Sequence, residues 1–221
     1  MSGSHPAGDP SSAGLGGDEP GGGGPTRSRP TRRRLTDNPL LTDLSTLDQA
    51  LYAAVAATPT PTLDAGLRRL TSAADHSKLS FGVAAALALR PGRPRAAALL
   101  GVAAIGVASA SANLLGKSLV RRPRPDRADV PLGRHVPMPV SASFPSGHTA
   151  SAFAFAAAIG SRYPWFAAPL GMLATAVGYS RVHTGVHYPG DVIAGALLGL
   201  ASAAATTAVA PGLGLRHGLP R

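Results

Sequence analysis

Two stretches of this chain, residues 96–115 and 192–210, contain no charged side chain and consist mainly of Ala, Leu, Val and Gly. As helices, each is long enough to cross the ~30 Å hydrocarbon core of a bilayer. Inside lipid the backbone must satisfy its own hydrogen bonds, and an unbroken apolar run without alternation does so as a helix. The expectation is an all-α, polytopic membrane protein. Residues 79–89, 150–160 and 165–179 are shorter apolar runs that cross only with protein neighbours or in a thin, tilted arrangement. Their many small residues suit close helix packing in lipid. Tyr163 and Trp165 fall at a span edge, where amphipathic rings are favoured.

The flanks read differently. Residues 1–43 form a Gly/Pro/Ser-rich tail that becomes Arg-rich at Arg27, Arg29, Arg32, Arg33 and Arg34, without the apolar core of a signal peptide. This composition predicts a disordered, solvated segment that touches anionic lipid if it is cytoplasmic. Residues 44–70 make two short pieces divided by Pro59 and Pro61, with Leu47, Leu51, Ala54 and then Leu63, Leu67, Leu70 at helical spacing. They are predicted to be amphipathic helices at an interface or capping a bundle. Residues 44–210 form the membrane domain, and 211–221 a short basic C-terminal tail. The net charge of +10 is compatible with nucleic-acid binding. However, aromatics are not interleaved with the basic residues, and the apolar runs favour a membrane. The absence of cysteine excludes disulfide and thiolate chemistry.

Arg90, Arg93, Arg95, Arg162, Arg216 and Arg221 fall on one side when crossings are counted, which positive-inside bias makes cytoplasmic. The other side carries Arg121, Arg122, Arg124, Arg127 and Arg134. These either reverse the orientation or are kept there to bind an anion.

Three segments meet on that second side. Lys117 and Arg124-Pro125 follow a long span. Ser146-Gly147-His148 opens an apolar helix, whose N-terminal N–H groups and dipole suit a phosphate. Ser180-Arg181, His187 and Asp191 lead into the last span. Arginine forks match phosphate oxygens, lysine is a point charge, and Gly147 lets backbone approach an oxygen. A neutral imidazole attacks phosphorus while a carboxylate fixes its tautomer, and a second imidazole protonates the leaving alcohol. Plainer roles exist for each residue: Ser146 as a cap, Lys117 and Arg124 as snorkelling cations, Asp191 as a helix-start acid. Asp75-His76-Ser77, at the outer end of a span, reads as a helix-start cap or as the lining of a substrate entrance.

Lys117 with Arg124-Pro125, Pro145-Ser146-Gly147-His148, and Ser180-Arg181 with His187 and Asp191 resemble the three-part signature of the type 2 phosphatidic acid phosphatase (PAP2) superfamily. All internal spacings fit. The resemblance implies a six-helix core, with 44–70 supplying two of the helices, and metal-independent, cofactor-free hydrolysis of a phosphate monoester or diphosphate. By the same resemblance His187 is the nucleophile forming a phosphohistidine, Asp191 its orienting carboxylate, and His148 the general acid that later activates water. Lys117, Arg124, Ser146, Gly147 and Arg181 match the phosphate cradle. Arg121, Arg122 and His183 stand at variable positions and receive no role. The context is similar to small actinobacterial members, some of which act on polyprenyl-phosphate sugars such as decaprenylphosphoryl-5-phosphoribose. Phosphatidic acid, phosphatidylglycerol phosphate and undecaprenyl diphosphate remain alternatives. Two other readings are a vanadate-dependent haloperoxidase, whose relatives are soluble, and a non-catalytic binder of anionic lipid, which would have lost the nucleophile.

Overall fold

The computed structural model describes residues 39–116 and 120–213. Among these are seven α-helices and no strand: α1 (Pro39–Ala57), α2 (Pro61–Ala73), α3 (Lys78–Ala88), α4 (Arg93–Ser111), α5 (Gly147–Gly160), α6 (Pro164–His183) and α7 (Pro189–Val209). Proline stands in the first turn of α2, α4, α6 and α7, where its missing N–H costs nothing and its fixed φ suits the helix. The all-α expectation holds, with seven helices where the family resemblance implied a core of six.

Helix α5 is the central element, packed against α4, α6 and α7, while α3 lies on α4, and α1 and α2 lie against the α6–α7 side. Its seat is built from small residues. Ala104, Ala108, Ala150, Ala154, Ala158 and Ala203 form one buried cluster. A side chain at Gly195 or Gly199 of α7 would strike the carbonyl oxygens of Ser146 and Ala150. The Gly195–Gly199 spacing therefore lets α7 lie directly on the start of α5, the small-xxx-small solution to close packing.

The outer surface is apolar. Ile193, Leu197, Val209, Leu99, Met172 and Trp165 are all exposed. The segments Arg93–Leu114 and Pro189–Val209 are long and apolar enough to cross a membrane, and only 22% of the apolar window of the second is buried in the protein. A helix from the core of a water-soluble protein would be mostly buried. An apolar surface left uncovered over this length calls for lipid.

The N-terminal pieces add detail to the sequence reading. Helix α1 begins at Pro39, so residues 39–43 belong to a helix rather than to the tail. Its inward face is Asp48, Tyr52 and Ala56, whereas Leu44, Leu47 and Leu51 point outward. In water the leucine stripe marks the buried side; against lipid, the polar stripe is the one that needs protein partners. The remaining tail, 1–38, lies outside the described residues, as do 214–221.

Arg93 stacks 6.0 Å from the ring centroid of Tyr163, which puts the α3–α4 and α5–α6 connections at one end of the bundle. The three motif segments gather at the other.

Candidate active site

The long connection from α4 to α5 carries Arg124, which is held from several directions. Its Nε donates to the Ser141 carbonyl at 2.9 Å, and its Nη2 to Ser141 Oγ and the Ala142 carbonyl at 3.3 Å each. Its Nη1 donates to the Val186 carbonyl at 2.7 Å and lies 3.3 Å from His187 Nε2. Arginine can only donate, so Nε2 is the accepting, unprotonated nitrogen and Nδ1 carries the hydrogen. Nδ1 faces Asp191 Oδ2 at 3.5 Å and Ser143 Oγ at 3.4 Å. The Ser143 hydroxyl in turn donates to Asp191 Oδ2.

This tautomer leaves the Nε2 lone pair on the side of the arginine. His187 is almost wholly buried. Burial, with the guanidiniums of Arg124 and Arg181, pushes its pKa down to about 4 against the opposing pull of Asp191. The ring is thus neutral at physiological pH.

The chain reaches this arrangement through a turn after α6. Gly185 adopts a φ of 72°, a left-handed conformation that glycine tolerates best. The turn folds the backbone so that the Arg181 carbonyl receives the N–H groups of both Val186 and His187. Asp191 then falls in the first turn of α7, where Oδ2 also accepts the Tyr188 N–H at 2.9 Å. Its Oδ1 accepts from Arg122 Nη1 at 3.0 Å, and Arg122 Nη2 reaches Asp48 Oδ2 of α1 at 2.6 Å. The guanidinium of Arg122 covers the Tyr188 ring at 4.0 Å. Asp48 Oδ1 accepts the Gly190 N–H at 2.6 Å, so α1 is tied to the start of α7.

The second motif joins through backbone: the Ser146 N–H donates to the Asp191 carbonyl at 2.9 Å. Ser146 precedes α5 but makes no side-chain cap hydrogen bond, and its hydroxyl receives one from Thr149 at 2.9 Å. A Cβ at Gly147 would meet nothing within 4 Å. The open space is a cavity of about 460 Å³ lined by Gly147, His148, Arg181, Asp75, Ser109 and Ser151, among others. Arg181 is buried, with Nη1 donating to Thr71 Oγ1 of α2 at 2.6 Å and its Nε without a protein partner. His148 and His187 both feel the charge of Arg181, and His148 also feels that of His187. A narrower apolar crevice beside His148 and Ser77 is lined by Val83, Phe155, Leu173 and Val177.

The described site residues therefore assemble at one end of the bundle: Arg124, His187 and Asp191 in direct contact, with Ser146 bonded to them, and Gly147, His148 and Arg181 on the cavity. Lys117 lies outside the described residues. Two contributors were given no role by the sequence reading, and a third received only a provisional one. Ser143 and Arg122 hold Asp191, and Asp75, read as a helix-start cap or as the lining of a substrate entrance, lies on the cavity and presents its carboxylate to His148 at 2.8 Å. His183 is kept from the site by Thr60 at 2.9 Å and Asp64 at 3.1 Å.

Arg122, Arg124, Arg127 and Arg134 of the α4–α5 connection are bonded within the protein, whereas Arg121 is exposed. Arg134 is fully buried; it pairs with Asp64 at 2.9 Å and donates to the Thr58 carbonyl at 2.6 Å. Arg127 donates to the Val136 carbonyl at 2.8 Å. Arg122 is shared between two aspartates. Of this group, Arg124 is the one that reaches the candidate nucleophile.

Comparison with known proteins agrees with this geometry. The model of the PAP2 superfamily matches residues 95–214. The decaprenylphosphoryl-5-phosphoribose phosphatase of Mycolicibacterium smegmatis is 37% identical over 131 residues, covering 59% of this chain and 69% of that protein. The phosphatase of the same name from Mycobacterium tuberculosis is 40% identical over 106 residues, covering 48% of this chain and 57% of that protein. The crystal structure of Aquifex aeolicus LpxE superposes with a TM-score of 0.63 at 26% identity, covering 73% of this chain and 95% of that one. A bundle of membrane helices whose connections converge on a buried imidazole, its carboxylate and two arginines defines the class. The chain belongs to the PAP2 superfamily.

Proposed function

We propose that this chain is a membrane phosphatase that hydrolyses a phosphate monoester or diphosphate of a lipid or polyprenyl substrate through a phosphohistidine. The observation that carries the reading is the His187 ring, locked as its Nδ1–H tautomer between Asp191 and Arg124 with Nε2 unprotonated. Nε2 attacks phosphorus, and Asp191 stabilises the positive charge that the ring acquires. Arg124, Arg181, Ser146, the N–H groups at Gly147 and His148, and Lys117 bind the phosphoryl oxygens, whose charge spreads in the transition state. His148 gives a proton to the departing alcohol. It then takes one from the water that attacks phosphorus, and the N–P bond breaks to release phosphate.

The substrate enters from lipid. The polar cavity suits a phosphorylated, hydroxyl-bearing head, and the apolar crevice that shares Ser77 and His148 with it suits the adjoining chain. Similarity to the two mycobacterial phosphatases favours a polyprenyl-phosphate sugar over a diacylglycerol phosphate. The arginine loops at the opposite end favour that end as cytoplasmic, with the site facing outward.

Phosphate release from detergent-purified protein, measured with 5-phosphoribosyl polyprenyl phosphate, phosphatidic acid, phosphatidylglycerol phosphate and undecaprenyl diphosphate, tests the proposal. Turnover is expected to be highest on the sugar phosphate and unchanged by excess chelator. Release from none of the four, or only with added divalent metal, would contradict it.

A further inference from the structure

The turn joining α2 to α3 is conformationally unusual. Within Asp75–Ser77, His76 and Ser77 both have left-handed backbones, with φ of 54° and 59°. Neither is a glycine, so each holds a conformation that L-residues rarely adopt and that the surrounding structure must impose. The turn delivers Asp75 to the mouth of the cavity. There Asp75 Oδ1 lies 2.8 Å from His148 Nε2 and 3.8 Å from Arg181 Nη1. Helix α2 anchors the same guanidinium through Thr71. The site therefore holds two imidazole–carboxylate pairs, His187 with Asp191 and His148 with Asp75.

A lipid alcohol cannot leave phosphorus as a bare alkoxide at neutral pH, so its proton donor must carry a charge-assisted proton at the moment of departure. His148 sits at the rim, ahead of the apolar run 150–160, in a setting hostile to that form. Burial first, then Arg181 from α6 and His187 from the turn before α7, push its pKa down to about 4, and Asp75 is the one carboxylate that pulls the other way. We propose that Asp75 is a positioning residue for leaving-group protonation: it fixes the orientation of His148 through Nε2 and lowers the cost of the protonated ring as the alcohol departs, so that Nδ1–H is the proton delivered. In the step itself the His187 Nε2–P bond forms and the P–O bond to the alcohol breaks. The Nδ1 proton passes to that oxygen, leaving neutral His148 hydrogen-bonded to Asp75 and ready to deprotonate water. The inference rests on the phosphatase reading of the same site.

Leaving-group dependence tests it. An alkyl ester needs the proton; a p-nitrophenyl ester departs without it. Initial rates on dodecyl phosphate and p-nitrophenyl phosphate are compared for the full chain and for Asp75→Asn, Asp75→Glu, His148→Ala and the Asp75→Asn/His148→Ala double variant. In Asp75→Asn, kcat on dodecyl phosphate is expected to fall about 100-fold, with the alkaline limb of its pH profile moved to lower pH, while p-nitrophenyl phosphate loses less than about tenfold. Adding Asp75→Asn to His148→Ala is expected to change neither rate. Asp75→Glu keeps the charge, and is expected to recover part of the alkyl ester rate and retain the alkaline limb of the parent. Equal losses on both esters, or losses that multiply in the double variant, would overturn the proposal and leave Asp75 with a structural role. If Asp75→Asn does not fold, Asp75→Glu carries the same comparison: a loss on the alkyl ester alone supports it, and equal losses reject it. Failure of the parent protein to hydrolyse either ester would instead remove the phosphatase reading beneath it.

Discussion

The two ends of the bundle carry arginines in similar number but use them in opposite ways. At the end formed by the α3–α4 and α5–α6 connections, Arg90, Arg93 and Arg95 are exposed, with Arg93 resting on Tyr163. At the other end Arg134 is buried against Asp64, Arg122 is clasped by Asp48 and Asp191, and Arg124 is wrapped by carbonyls beside His187. Exposed arginines act on a membrane potential and on anionic lipid. Arginines paired with buried carboxylates are neutralised in the far field and act on their contacts. Counting basic residues in loops treats the two alike, which is why the count points both ways. The difference teaches that a charge belongs to a topology argument only after its partner is known.

Substitutions at the two ends should separate sharply. Arg124→Ala removes the cation nearest Nε2 and is expected to lower kcat/KM by about 100- to 1000-fold, measured as phosphate release, with the fold retained. A loss below tenfold would move Arg124 from the chemistry to the scaffold. Arg134→Met should act on stability instead. It strands Asp64 and several carbonyls, and is expected to cost about 3 kcal/mol, read as a lowered unfolding midpoint in detergent. A midpoint unchanged within error would refute the reading of Arg134 as a staple.

The pH profile sharpens the same contrast. Burial and two guanidiniums hold the His187 pKa down at about 4, so Nε2 stays unprotonated through the neutral range. As pH falls through about 4 the lone pair is taken by a proton, and kcat/KM should then drop about tenfold per unit. An acid limb near the ordinary histidine value would mean a solvated ring. The smallest effect is expected from replacing Arg90, Arg93 and Arg95 together with Ala. Turnover in detergent should stay within about twofold, while reporter fusions should reveal mixed orientation in cells. A large loss of turnover in detergent would show that the far end contributes to the site.

Much of this arrangement was legible in the sequence because its signals are local. Arg181, His187 and Asp191 span only the end of α6, one turn and the start of α7, and Pro145-Ser146-Gly147 marks where α5 opens. Long uncharged runs reveal α4 and α7 directly. What could not be read depends on pairings between distant segments: Asp75 meets His148 across 73 residues, and Arg122 meets Asp191 across 69. The inward face of α1 was not legible for a different reason. Lipid rewards an outward leucine, so Asp48 and Tyr52, rather than Leu47 and Leu51, mark the side that packs on protein.

The account turns on a covalent bond between phosphorus and His187. It is tested most directly by rapidly quenching His148→Ala protein during turnover of radiolabelled p-nitrophenyl phosphate, whose leaving group needs no proton while the water step still needs a base. The prediction is an acid-labile, base-stable label mapping to residue 187 and absent from the His148→Ala/His187→Ala double variant. Label on another residue, or steady hydrolysis by His187→Ala with no labelled protein at any time, would contradict it.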